Sequence, residues 1–278
     1  MILSIGELVL DVTIVPEGRL RPDDDRAASI RIGGGGQAAN FCAWAAALGE
    51  RVRLVTKVGD DESGRRLVGE IEALGVEVRP VWGTEPTGAI AVLVGPDGER
   101  TMATQRGASV SLRPEDLRPE WFAGVKLIHV PAYSLFVEPL SGAAHAAIER
   151  VRDGGGVVSV DLSSVSGLNQ YGPARMAYDL ARLRPELLFA TTAEAEALAV
   201  PLEGLAKVPV LKLGAAGCRV FGRTIPAPLV SEVDATGAGD ALAAAFCASY
   251  LDGATPIEAA GRAVLVAAGA VTRAGARP

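Results

Sequence analysis

Cysteine, histidine, asparagine, lysine and aromatic residues are all scarce in this 278-residue chain. Its cysteines, Cys42, Cys218 and Cys247, are far apart, odd in number and never in a C-x-x-C pair. That favours buried small hydrophobes in a reducing compartment over metal ligands or nucleophiles. His129 and His145 are the only histidines and have no Cys, Ser or carboxylate at useful spacing, so neither is assigned a role. Lysine supplies only Lys57, Lys126, Lys207 and Lys212 of the 27 basic residues, a bias that suits a thermophile or a GC-rich genome. Against 33 acidic residues the net charge is -6, and no Lys/Arg run forms a basic face. A dedicated nucleic-acid binder is therefore excluded. No uncharged apolar run reaches about 18 residues, and the start MILSIGELVLD lacks a basic region and carries Glu7 and Asp11. The expectation is a cytoplasmic protein with no membrane partner. No Gly-Lys pair occurs anywhere, which rules out a G-x-x-x-x-G-K-[ST] phosphate loop.

Glycine, by contrast, is abundant, with 33 residues and no collagen-like period. Many positions must need positive φ, a tight turn or close approach of a ligand to the main chain. Apolar runs rich in β-branched residues recur at 2–5, 52–55, 125–130, 157–160, 187–189 and 208–213, with helical patterns between most of them. Residues 37–48 place Ala38, Phe41, Cys42, Ala45 and Leu48 on one helical face, and 63–74 does the same with Leu67, Ile71 and Leu74 before Gly75. Strands apolar throughout and alternating with helices predict an α/β fold of three layers, α/β/α, around a mostly parallel sheet. Segments at about 12–32 and 84–106 break that rhythm. The second reads as a hairpin about Gly95-Pro96-Asp97-Gly98. We therefore expect one domain over 1–278 with an inserted small β-sheet as a lid or dimer clasp.

Two glycine clusters precede helices. Gly33-Gly34-Gly35-Gly36 opens the 37–48 helix, and bare N–H groups there suit a hydroxyl or an anion. The same stretch fits G-x-G-x-x-A through Ala38, the dinucleotide fingerprint of an oxidoreductase, although it stands about thirty residues after the first strand. Asp234-Ala235-Thr236-Gly237-Ala238-Gly239-Asp240 opens a second helix, with Leu242, Ala245, Phe246, Ser249 and Tyr250 as its expected inner face. Gly237, Ala238 and Gly239 then frame an anion hole at the positive end of the helix dipole. Asp240 in the first turn is either a plain dipole partner or a base that takes a proton from an attacking hydroxyl.

The pair of motifs, Gly35-Gly36-Gln37-Ala38-Ala39-Asn40 and Asp234 to Asp240, resembles the two signatures of the ribokinase-like (phosphofructokinase-B type) carbohydrate kinase family. Gly6-Glu7-x-x-x-Asp11, Val58-Gly59-Asp60-Asp61-x-x-Gly64, Thr87-Gly88, Gly98-Glu99-Arg100 and Lys212 to Gly217 resemble its other elements in order, so the likeness spans essentially the whole chain. It implies ATP-dependent phosphorylation of a sugar's primary hydroxyl. Asp240 would be the base and the amides of Gly237, Ala238 and Gly239 the anion hole. Asp11, Gly35, Gly36, Asn40 and Arg106 would bind the sugar. Thr191, Lys212, Gly214, Gly217 and Thr236 would bind the nucleotide, and Glu194 would hold Mg²⁺ through water. A monovalent cation is an open addition. A homodimer clasped through the lid is the assembly it suggests.

Three departures stand out. Thr191 replaces the Asn of the family's N-x-x-E element, Asp161-Leu162-Ser163-Ser164 lacks the usual amide and Arg, and Lys212 stands where Thr is frequent, either touching phosphates or facing solvent. For the acceptor, the lid segments contain no aromatic residue to stack on a nucleobase, and Arg106 is the one basic candidate for a sugar acid. A neutral pentose or hexose is favoured over a nucleoside or a 2-keto-3-deoxy sugar acid. The alternatives of another class are a dinucleotide-dependent oxidoreductase and an inactive sugar- or nucleotide-binding protein.

Overall fold

The computed structural model describes every residue of the chain except Asp24, Pro96 and Gly98. The strands are β1 (Ile2–Ile5), β2 (Val9–Pro16), β3 (Ala28–Gly35), β4 (Val52–Gly59), β5 (Glu77–Gly83), β6 (Thr87–Val94), β7 (Arg100–Gly107), β8 (Leu127–Pro131), β9 (Val157–Asp161), β10 (Leu187–Thr191), β11 (Val208–Lys212), β12 (Cys218–Val220) and β13 (Arg223–Ile225). The helices are α1 (Gln37–Ala47), α2 (Glu62–Ala73), α3 (Tyr133–Phe136), α4 (Leu140–Asp153), α5 (Val165–Tyr171), α6 (Pro173–Leu183), α7 (Thr192–Leu198), α8 (Ala238–Leu251) and α9 (Pro256–Ala270).

Nine strands form the main sheet in the order β13-β12-β11-β10-β9-β8-β1-β4-β5. All neighbours are parallel except the β11–β12 and β12–β13 pairs. Along each strand alternate side chains enter opposite faces. Ile2 and Leu127 join the core shared with α1, α2, α8 and α9, whereas Leu3, Ile5, Ile128 and Val130 join the one shared with α4 to α7. Both faces are covered, which is why the strand sequences are apolar throughout. The expected three-layer α/β/α fold with its small second sheet is present. Chain order reverses between β1 and β8, and ligands of open α/β sheets bind at such a reversal, beyond the carboxyl ends of the strands.

The small sheet runs β3-β2-β6-β7. It occupies the two expected segments, the first with wider bounds at 9–35 and the second slightly displaced at 87–107, and of the expected turn Pro96 and Gly98 lie outside the described residues. Asp61 fastens this sheet to the large one. As N-cap of α2 it accepts from Gly64 N–H at 2.7 Å, and it also takes Thr87 N–H at 2.8 Å and Thr87 Oγ1 at 2.7 Å.

Three sequence expectations need correction. The Gly33–Gly35 stretch lies in β3, antiparallel to β2, so it belongs to no βαβ unit and the dinucleotide fingerprint falls away. The expected single inner face of α8 is wrong as well. Residues from Asp240 to Ser249 are buried on every side, because α8 is wedged between α1, α9 and the sheet, and Tyr250 is only half-buried. Leu48 and Leu74, expected on buried helix faces, cap the ends of α1 and α2 and are exposed, and His129 lies within β8, fully buried with its ring stacked on Phe41 at 3.9 Å. The three cysteines are free and buried, as expected.

Candidate active site

Two cavities meet at the carboxyl ends of the strands. The larger, about 530 Å³, lies between the main sheet and the inner face of the small sheet. The smaller, about 270 Å³, lies between the turn after β11, the 227–232 loop and the faces of α8 and α9. Lys212 and Gly239 line both, so the N-terminus of α8 is the junction.

Asp240 occupies the first turn of α8 with only 9% of its surface exposed. Burial, followed by the charge of Asp161, pushes its carboxyl up to about 7, while Asn40, Lys212 and Gln37 pull the other way. Its Oδ2 accepts from Asn40 Nδ2 at 3.1 Å. The start of α8 presents backbone donors to the site. Ala238 N–H reaches back to Ala235 O at 3.3 Å and Ala241 N–H to Gly237 O at 2.9 Å. The N–H groups of Gly237, Gly239 and Asp240 are left without a backbone acceptor among the described residues, so of the expected hole only the Ala238 amide is engaged, and Asp240 adds one.

On the small-sheet side, Asp11 on β2 lines the larger cavity with Oδ1 buried and unpartnered. Burial raises its pKa to about 6, against the pull of Arg277. Gln37 Oε1 is also buried without a partner in this wall. Orphaned acceptors of this kind await a donor, and the hydroxyl groups of a ligand supply one. Arg106 on β7 pairs with Glu7 and lies over the Tyr133 ring at 4.1 Å from its centroid.

At the far end Lys212 Nζ donates to both oxygens of Asp161, at 2.9 and 2.7 Å. Burial works to lower the Lys212 pKa, yet the charges of Asp161 and Glu194 outweigh it and the ammonium is held above its ordinary value. The solvent-facing alternative for Lys212 is thus wrong. Thr191 and Glu194 form a capping box on α7, with Glu194 Oε2 accepting Thr191 N–H at 2.7 Å and Thr191 Oγ1 accepting Glu194 N–H at 3.2 Å. Burial raises the Glu194 pKa, with Lys212 opposing.

Most of the expected residues converge. Asp11, Gly36, Asn40, Arg106, Thr191, Glu194, Lys212, Thr236, Gly237, Gly239 and Asp240 line the larger cavity, while Gly214, Gly217 and Ala238 line the smaller. Thr236 therefore faces the cleft beneath the small sheet, with its hydroxyl bonded to Asp234 Oδ1 at 2.6 Å and to Arg100. Gly35 lines neither cavity. A Cβ there would overlap the Asp11 carboxylate, just as one on Gly36 would overlap Glu7 O and one on Gly217 would overlap Ile225 O. These glycines make room for the protein's own groups. Gly239 differs, because a Cβ there would meet only Lys212 at ordinary distance, leaving space for a ligand.

Tyr133 and Arg277 stand in no motif of the sequence, and Glu7, Gln37, Arg100, Asp161 and Asp234 stand in motifs without a site role, yet all seven are parts of this cluster. Asp161 carried a legible signal: an acid ending an apolar strand, in the position that α/β sheets turn to ligands. Arg277 carried none, since its partners are 237 and 242 positions away.

The Mg²⁺ that accompanies a nucleotide suits part of this set. No group of three His, Cys, Asp or Glu able to hold a metal exists among the described residues. Asp161 is spent on Lys212, but Glu194 has Oε1 outside its capping box. That fits a water-mediated contact to an ion carried mainly by phosphates rather than a protein cage.

A model of the pfkB family carbohydrate kinases matches residues 1–278. Probable fructokinase-4 of Arabidopsis thaliana is 29% identical over 279 residues, covering 93% of this chain and 84% of that protein. The ATP-dependent ribose-1-phosphate kinase of Halopiger xanaduensis is 32% identical over 265 residues, covering 90% and 84%. The structure of adenosine kinase from Sinorhizobium meliloti superposes with a TM-score of 0.89 at 26% identity, covering 100% of this chain and 95% of that one. A putative ribokinase II from E. coli in complex with ATP and Mg²⁺ shares the fold with a TM-score of 0.83 at 24% identity, covering 99% and 94%. With two cavities meeting at a buried carboxylate on a glycine-flanked helix start, and a family match along its whole length, the chain belongs to the pfkB family of carbohydrate kinases.

Proposed function

We propose that this chain is an ATP-dependent kinase for a neutral sugar, with Asp240 as the general base. The observation that carries the proposal is the placement of Asp240 where the two cavities join, with free amides beside it. A sugar hydroxyl entering from the larger cavity meets a carboxylate whose affinity for protons is matched to neutral pH. Asp11, Asn40 and Gln37 orient the sugar, and the amides of Gly239 and Asp240 receive the charge on the transferred phosphoryl group. Lys212 adds positive charge behind that hole, part-neutralised by Asp161. The apolar smaller cavity takes the nucleotide base against Leu242, Val264 and Ala268. When bound with ATP, Mg²⁺ neutralises phosphate charge, with Glu194 steadying its waters.

A neutral acceptor is favoured because Arg106 is already paired with Glu7 and Arg100 with Asp234. One observation favours a second reading. Arg31 lines the larger cavity and its side chain has no ion pair or hydrogen bond among the described residues, so an acceptor bearing a phosphate, as in the relative named for ribose 1-phosphate, would find a counter-charge there. A coupled ADP-release assay over D-fructose, D-ribose, ribose 1-phosphate, adenosine and 2-keto-3-deoxygluconate separates the readings. We expect the highest kcat/KM with a neutral sugar. Preference for ribose 1-phosphate would select the second reading, and no acceptor-dependent ADP release would refute both.

The proposal extends to a cytoplasmic enzyme in which the small sheet acts as lid on one face and dimer clasp on the other. No helix among the described residues is long and apolar enough to cross a membrane.

A further inference from the structure

The segment after α9 turns back into the site. Gly275 N–H donates to Asp234 Oδ2 at 3.0 Å, and Ala276 O accepts from Trp44 Nε1 at 2.9 Å. A Cβ on Gly237 would overlap Ala276 O, so the turn ahead of α8 is glycine where this segment crosses it. That course delivers Arg277 to the gap between α1 and β3. Its Nε donates to Asn40 Oδ1 at 3.1 Å and its Nη2 to Gly35 O at 2.9 Å. Its Nη1 fills the space that a side chain on Gly34 would need.

Arginine offers donors only. With Oδ1 of Asn40 committed to the guanidinium, the amide nitrogen is the end that faces Asp240, and it donates to Oδ2 at 3.1 Å. We propose that Arg277 is a positioning residue for the reaction: it pins the Asn40 amide, and through it the Asp240 carboxylate, while tying β3 to α1 through Gly35 O. The proposal rests on the reading of Asp240 as base. The pin has a specific use. The Asp240 carboxyl changes protonation near neutrality, and an unpinned amide would turn over to follow the proton, whereas a pinned one keeps its donor toward the base in both states.

Asn40 and Asn169 are the only asparagines, so protein labelled with ¹⁵N-asparagine gives two side-chain amide pairs, assigned by loss of one in Asn40→Ala. In Arg277→Met we expect the Asn40 pair to shift and its hydrogen exchange to rise about tenfold or more, the worth of a lost charged hydrogen bond, with Asn169 unmoved. In the same variant kcat should fall by about tenfold while the KM for ATP stays within twofold. Arg277→Lys, which keeps charge but not the fork, should fall between, and serves as the test if the Met variant does not fold. An Asn40 pair unchanged in position and exchange in a folded variant would overturn the proposal. Turnover retained in Asp240→Asn would remove the base assignment while leaving the amide result standing, so the two failures are distinguishable.

Discussion

A carboxyl that burial pushes up to about 7 is costly to ionise, and the fold bears that cost at Asp240. A raised acid pKa means the folded state binds the proton more tightly than the unfolded chain, so stability from this group declines as pH rises from near 4 through 7. The deprotonated form that the proposed base must adopt is therefore the less stable one. From the same shift, kcat/KM should drop about tenfold for each pH unit below about 7 and level off above it. Below about 6 the descent should steepen, as Asp11 gains its proton. A pH profile flat from 8 to 5 would exclude a titrating base at this position. At this scale the sequence was half legible. Asp240 and Asn40 were readable because their motifs are local. Tyr133 and Arg277 were not, since only tertiary packing sets the Tyr133 ring beneath Arg106 and Arg277 against Asn40. The glycines had a use that sequence did not show: Gly35 and Gly36 leave room for the Asp11 carboxylate and the Glu7 carbonyl.

Periodicity located α1 and α2 within a residue or so of their expected spans, but it described the faces only of α2, because α1 is buried continuously from Ala38 to Ala45. α8 is alanine-rich and buried throughout, so a period-based choice of an inner face had no contrast to work on. Three strands of the main sheet fell outside the apolar runs. β12 and β13 have three residues each, and β5 is an edge strand that tolerates Pro80. The joint between the sheets was not anticipated either, because it depends on Asp61 capping α2 and gripping Thr87 at once. Asp61→Ala removes the cap and both Thr87 bonds, and should cost about 2 kcal/mol or more in urea unfolding. It should also raise the acceptor KM more than the ATP KM, since Asp11 and Arg106 ride on the sheet that is released. Equal KM values with unchanged stability would show that the joint is not needed.

Across the whole molecule the layered α/β core was the most legible feature, because apolar strands between amphipathic helices leave few other arrangements. The small sheet was legible as an interruption of that rhythm, but its two faces were not. Inward it carries Asp11, Thr13, Arg31 and Arg106 into the cavity. Outward it presents Ile30 and Ile32, 59% and 56% exposed. Apolar side chains on the outer face of a sheet invite a partner, and a second copy is the occupant we infer. Sedimentation should show a dimer that Ile32→Glu converts to monomer. A wild-type monomer at every concentration would contradict this assembly.

The role proposed for Asp240, taking the proton from the acceptor hydroxyl, is tested by the ADP-release assay with the preferred acceptor, run on wild type and on Asp240→Asn. We expect unchanged ATP affinity and a loss of at least ~10²-fold in kcat, the lower end for removal of a general base. Turnover within a few-fold of wild type would contradict that role.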